Sequence, residues 1–206
     1  MLVIGLTGGS GCGKNEVAKI LSERGIFTVD TDRVYHDIVS SDCQCTRELA
    51  SAFGNSVLNT DGSLSRPRLA EIVFSDDGGR EERMKRLGEI AHRYIRAETD
   101  ALLKKEREKG AILSAVDAPV LFESGFSSFC DTTLAVLASK EKRLSRIMAR
   151  DGISEDAALK RLLAQPSDSF YIERADFIIY NNGSLDDLVK EVDAWLIQIK
   201  QKNNLR

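Results

Sequence analysis

At 206 residues the chain is long enough for one α/β domain with a sizeable core and room for insertions. A formal net charge of -3, with 30% charged and 42% hydrophobic residues, matches an ordinary soluble globular protein and argues against a dedicated nucleic-acid binder, which would carry a basic face. The first apolar run, residues 2–6, is too short for a signal peptide or a membrane span, so the expectation is a cytoplasmic protein with no membrane partner.

Residues 2–7 read as a buried strand that opens into Gly8-Gly9-Ser10-Gly11-Cys12-Gly13-Lys14-Asn15. Gly8, Gly13 and Lys14 satisfy the phosphate-loop spacing of Gly, four residues, Gly, Lys. Glycines let backbone N–H groups approach a polyphosphate, the next helix adds partial positive charge, and Lys14 adds a full one. Where a Ser or Thr hydroxyl normally meets Mg²⁺, this chain has Asn15, whose amide oxygen is a longer, neutral ligand. Cys12 at a helix N-terminus is expected to have a lowered pKa and to be open to oxidation. The remaining cysteines, Cys43, Cys45 and Cys130, form no zinc pattern and read as reduced thiols.

A helix over 14–24, closed by Gly25, leads to a second strand over 26–29 and then to Asp30-Thr31-Asp32. Strand ends in a parallel sheet face the ligand crevice. One of these aspartates is expected to cap the following helix and the other to accept a proton from a hydroxyl nucleophile. Helical stretches follow over 46–53, from Leu69, and over 81–109, the last heavily charged, with a turn at 59–62. The block 43–109 is too long for a simple crossover and reads as an inserted helical substrate domain, with Arg66, Arg68, His92 and Arg96 available for an anionic substrate.

A third strand over 111–116 ends at Asp117, for which two roles are open: holding Mg²⁺ through water, or capping a turn. A fourth strand covers 132–137. The helix after Ser139 sets Arg143, Arg146 and Arg150 on one face, which can either close over transferred phosphate or serve, for at least one of them, as a solvated basic face. Residues 146–165 read as a helical-hairpin lid. Residues 177–180 form a fifth strand, and Ser184 with Asp187 forms a capping box for the last helix.

Several of these stretches resemble the dephospho-CoA kinase family in order and spacing: Thr7-Gly8-Gly9, Val29-Asp30-Thr31-Asp32, Asp61-Gly62-Ser63-Leu64-Ser65-Arg66, His92, Pro119 to Glu123, Arg161 with Gln165, and Ala175-Asp176 through Asn182-Gly183. The resemblance implies an α/β, P-loop NTPase-type parallel five-stranded sheet with flanking helices, an inserted helical substrate domain and a helical lid. The core would be residues 1–42, 110–145 and 166–206, the insertion 43–109 and the lid 146–165. It also implies transfer of the ATP γ-phosphate to the 3′-hydroxyl of dephospho-CoA.

By that resemblance Asp32 is the general base, with Lys14 and Arg146 as further catalytic residues. Gly9, Gly11, Cys12, Gly13, Lys14, Asn15 and Glu16 hold the ATP phosphates. Asp30, Asp32, Arg66, His92, Arg150 and Arg161 bind substrate, and Asn15 and Asp117 attend the metal. The expected cofactors are ATP and Mg²⁺, and the expected assembly a monomer or small homo-oligomer. Asn15, Arg93 after the histidine, and Pro166 after Gln165 depart from the family's usual pattern. The competing readings are a kinase of another small hydroxyl acceptor and a non-catalytic nucleotide sensor.

Overall fold

The computed structural model describes residues 1–204. Five strands, β1 (Leu2–Thr7), β2 (Phe27–Asp30), β3 (Leu113–Asp117), β4 (Thr132–Leu137) and β5 (Phe177–Tyr180), form one sheet in the order β2-β3-β1-β4-β5. The pairs β1–β3, β1–β4 and β4–β5 are parallel. β3 and β4 are buried along their whole length, as is β1 after its first residue. Near-continuous apolar runs suit strands covered on both faces, which is why these three occupy the middle of the sheet.

The helices are α1 (Lys14–Glu23), α2 (Thr31–Val39), α3 (Gln44–Phe53), α4 (Arg66–Val73), α5 (Arg80–Glu108), α6 (Lys140–Asp151), α7 (Glu155–Leu163), α8 (Asp168–Ile172) and α9 (Leu185–Lys202). α1 ends as the sequence predicts, with Gly25 at φ 75°. The Ser139 cap and the Ser184–Asp187 capping box are both present. α2 begins at Thr31, because Asp30 Oδ1 accepts from the amides of Asp32 and Arg33 and starts the first turn directly at the strand end. α3 begins two residues before the expected 46, on a capping box between Cys43 and Thr46. α8 has only five residues, too few to show a helical period, and is anchored by the buried Tyr171.

The chain divides into two compact units, one of residues 1–29 with the chain from 105 onward, the other of residues 30–104. In the first, Ile4, Leu6, Val17, Leu21, Leu134, Val192 and Trp195 belong to a core between the sheet and α1 and α9. Arg24 of α1 makes a two-pronged ion pair with Asp193 of α9. In the second, Leu49, Val57, Leu69, Val73 and Ile90 draw α3, α4 and α5 together. Among the described residues, no helix is long and apolar enough to cross a membrane.

Candidate active site

The glycine loop spans the gap between β1 and α1, with Gly13 as the helix N-cap at φ 93°. A side chain there would adopt a conformation L-residues resist, and its Cβ would stand 2.0 Å from Asn181 Nδ2. Cys12 departs from expectation. Its side chain turns inward and joins the core, 1% exposed. Burial pushes the thiol above its ordinary value, outweighing the Lys14 amide and the charges of Arg143, Lys14 and Arg146 that pull it down. The expected low-pKa, oxidation-prone thiol is therefore overturned: helix-terminus activation loses to desolvation.

The arginine face of α6 packs against this loop. Arg143, itself buried, donates from Nε to the Ser10 carbonyl at 3.0 Å. Arg146 donates to the carbonyls of Gly11 and Cys12 at 3.2 and 3.3 Å, and to both oxygens of Asn181. Asn181, buried at the end of β5, donates from Nδ2 to the Cys12 carbonyl at 2.9 Å. Three successive loop carbonyls are thus held by cationic or amide donors. In a trans peptide the next residue's N–H points the opposite way. The amides of Gly11 and Gly13 make no hydrogen bond within the described residues, and they are the natural donors to a phosphate.

Arg150 donates to Ser10 Oγ and makes a two-pronged pair with Asp151. Arg161 of α7 pairs with the same carboxylate, which Arg150, and then Arg161, hold below the usual carboxylate range. One acidic residue therefore gathers two of the predicted lid-side arginines.

Lys14 Nζ pairs with Asp117, and both side chains are largely buried. Asp117 closes β3, in register with Leu6 of β1. Asn15 lies exposed in the first turn of α1, with Glu16 beside it. No cluster of three or more His, Cys, Asp or Glu side chains able to hold a metal occurs among the described residues. Mg²⁺ in phosphotransfer sites keeps much of its water shell and takes one or two carboxylates plus substrate phosphates. One carboxylate at a strand end and one amide oxygen beside the phosphate loop fit that donor set.

In the second unit, Asp30 is the residue that caps α2, and Asp32 sits exposed in that helix's first turn. Arg66 opens α4, and its charge bears on Tyr35, whose hydroxyl burial pushes up to about 12. Arg68 donates to Asn59. His92, half-buried on α5, has its pKa drawn below the ordinary value by desolvation. Arg93 pairs with Glu48 and lies over the Tyr94 ring. Sequence reasoning did not single out Gln165 and Asn181 as site residues and gave Arg143 no role of its own. The first two stood inside recognisable stretches, but nothing local shows that they reach back across 155 and 169 residues to the loop.

A parallel sheet whose first strand runs through a phosphate loop into a helix, with a paired lysine and aspartate at the strand ends, defines a P-loop phosphotransferase. The solved shikimate kinase of Acinetobacter baumannii shares this fold, with a TM-score of 0.51 and 17% identity over all of this chain and 96% of that one. The sequence profile of the dephospho-CoA kinase family matches residues 2–187. A dephospho-CoA kinase of Fusobacterium nucleatum is 38% identical over 95% of this chain and 97% of its own length. The solved dephospho-CoA kinase of Campylobacter jejuni superposes with a TM-score of 0.70, at 28% identity over 98% of both chains. The chain belongs to the dephospho-CoA kinase family. It is an ATP-dependent kinase of dephospho-CoA, the enzyme of the final step of coenzyme A synthesis.

Proposed function

We propose that Asp32 is the general base of this transfer and that residues around the phosphate loop hold ATP for it. The observation that carries the assignment is the division of labour between the two aspartates: Asp30 is committed to capping α2, while Asp32 stands exposed in the first turn. Asp32 takes the proton of the ribose 3′-hydroxyl as its oxygen attacks the γ-phosphorus. The bond from that phosphorus to the bridging oxygen breaks, and ADP leaves.

Lys14 neutralises charge on the phosphoryl group in flight, and the loop residues Gly9, Gly11, Cys12, Gly13, Asn15 and Glu16 surround the phosphates, with the Gly11 and Gly13 amides as donors. Arg146 serves the same charge through the loop whose carbonyls it holds. Arg150 and Arg161, gathered by Asp151, face the nucleotide from a lid over 146–165 that excludes water on closing. Arg66 and His92 of the helical insertion, residues 43–109, receive the acceptor together with Asp30 and Asp32. Asp117 and Asn15 would hold Mg²⁺ together with the ATP phosphates, where the ion supplies positive charge against the polyphosphate. We place the enzyme in the cytoplasm as a monomer or small homo-oligomer.

The test is incubation with Mg-ATP and dephospho-CoA, followed by mass measurement of the acceptor. The expected result is a gain of one phosphate that depends on Asp32. Phosphate gain undiminished in Asp32→Asn would remove that residue from the role.

A further inference from the structure

We infer that Arg143 and Gln165 are positioning residues for ATP, forming a strut that fixes the two peptides flanking Ser10 in the phosphate loop. Gln165 Oε1 accepts from the Ser10 amide at 2.8 Å and from Arg143 Nη2 at 2.9 Å. Arg143 Nε donates to the Ser10 carbonyl at 3.0 Å. The three groups close a ring of hydrogen bonds around one residue, Ser10, whose N–H and C=O lie in two successive peptides. Asp168 holds the remaining end of the guanidinium at 3.3 Å.

Fixing the Ser10 carbonyl also fixes the Gly11 amide, because the two share one planar peptide. The approach is tight enough to require the neighbouring glycine: a Cβ at Gly9 would stand 2.3 Å from Arg143 Nη2 and 3.1 Å from Gln165 Oε1. This glycine therefore admits the strut, whatever it also does for phosphate. Gln165 lies just past the Ala164 C-cap of α7, the second helix of the hairpin, so the strut ties that hairpin's base to the loop. A buried guanidinium sharing one acceptor with a loop amide makes the loop's shape depend on where that acceptor is held.

The inference rests on the loop's holding ATP. Lys14→Ala serves as the control for that: if it leaves ATP affinity unchanged, the loop assignment fails rather than the strut. The test compares Gln165→Leu and Gln165→Glu in the full-length enzyme. ATP affinity is titrated without acceptor, KM is measured for each substrate, and thermal unfolding is followed alongside. Gln165→Leu should weaken ATP binding roughly tenfold, the scale of one charge-assisted hydrogen bond, with KM for dephospho-CoA within about twofold of the parent. Gln165→Glu, which keeps the acceptor facing Arg143, should restore most of the loss.

Arg143→Lys keeps the charge but not the fork, and should match Gln165→Leu; it carries the comparison if the leucine variant does not fold. ATP affinity unchanged in Gln165→Leu would overturn the inference. So would equal losses for both substrates that Gln165→Glu does not repair, or failure of both Gln165→Leu and Arg143→Lys to fold, since each marks a brace of the fold rather than of ATP.

Discussion

Lys14, the first residue of α1, is paired with Asp117, the last residue of β3, and both side chains are largely withdrawn from water. The register of β1 against β3 makes the pair, because it sets Asp117 opposite Leu6 as β1 gives way to the loop. The carboxylate holds the ammonium beside the phosphate loop, where the proposed function needs it. Lys14→Ala should lower kcat/KM by about 10²–10³-fold, the range for losing one preorganised electrostatic donor. Asp117→Asn should also reduce kcat, with a smaller effect on nucleotide affinity, because Lys14 keeps its charge. Steady-state kinetics against ATP separates the two, and equal effects on ATP affinity would refute the arrangement.

The two aspartates after β2 should respond differently. Asp32→Asn should cut kcat by about 10²–10⁴-fold, the usual range for a general base, with little change in stability. Asp30→Ala removes the cap of α2 and should cost about 0.5–2 kcal/mol of unfolding free energy. Urea titration together with kcat on both variants gives the comparison. A larger kcat loss from Asp30→Ala than from Asp32→Asn would reverse the roles.

Asn15 invites a substitution toward the hydroxyl that the phosphate-loop pattern usually carries. Asn15→Thr should lower the Mg²⁺ concentration needed for half-maximal rate, because a short hydroxyl suits a tight octahedron better than a longer amide. Mg²⁺-dependent quenching of a fluorescent ATP analogue reads the metal apart from turnover. An unchanged Mg²⁺ dependence by both measures would take Asn15 out of the metal's surroundings.

Asn181 and Gly13 meet at close quarters. Gly13→Ala would force a side chain into a positive-φ position and against Asn181 Nδ2. It should cost more than about 1–3 kcal/mol, the strain range for such a position, and abolish ATP binding. Asn181→Ala leaves the Cys12 carbonyl and the Arg146 guanidinium each short of a partner, and should cost about 1–3 kcal/mol. Calorimetry on both variants checks the order: an Asn181→Ala protein as stable as the parent would show that these hydrogen bonds do not hold the loop.

His92 gives a pH dependence of stability. Its folded pKa lies below its ordinary 6.5 because burial penalises the charged ring. The unfolded chain therefore takes up a proton first as pH falls. The stability contribution is present above 6.5 and is lost as pH drops through that value toward the folded pKa. Urea midpoints measured across this range should fall in the parent and fall less in His92→Gln. Parallel curves would show that another group carries the acid sensitivity.

The strand runs, the helix stops at glycine, the Ser139 and Ser184 caps and the phosphate loop were all legible in the sequence, because each depends on residues within a few positions of one another. The spacing of Gly8, Gly13 and Lys14 is enough to propose a phosphate site, and the family's stretches are enough to propose the acceptor. Local order also supplied two candidates, Asp30 and Asp32, for one cap and one base. Only the backbone at the end of β2 showed which of them caps the helix.

Cys12 shows where local reasoning fails. A thiol at a helix N-terminus is activated by its immediate neighbours, but its pKa follows from the core that closes over it, built by β1, β4 and α9 from distant parts of the chain. The arginines of α6 make the same point. Their spacing showed that they share a face, but not that the loop's own carbonyl oxygens lie against that face. Desolvation and hydrogen-bond partnership depend on everything within a few ångströms, and tertiary structure alone brings Arg143, Gln165 and Asn181 that close to the loop.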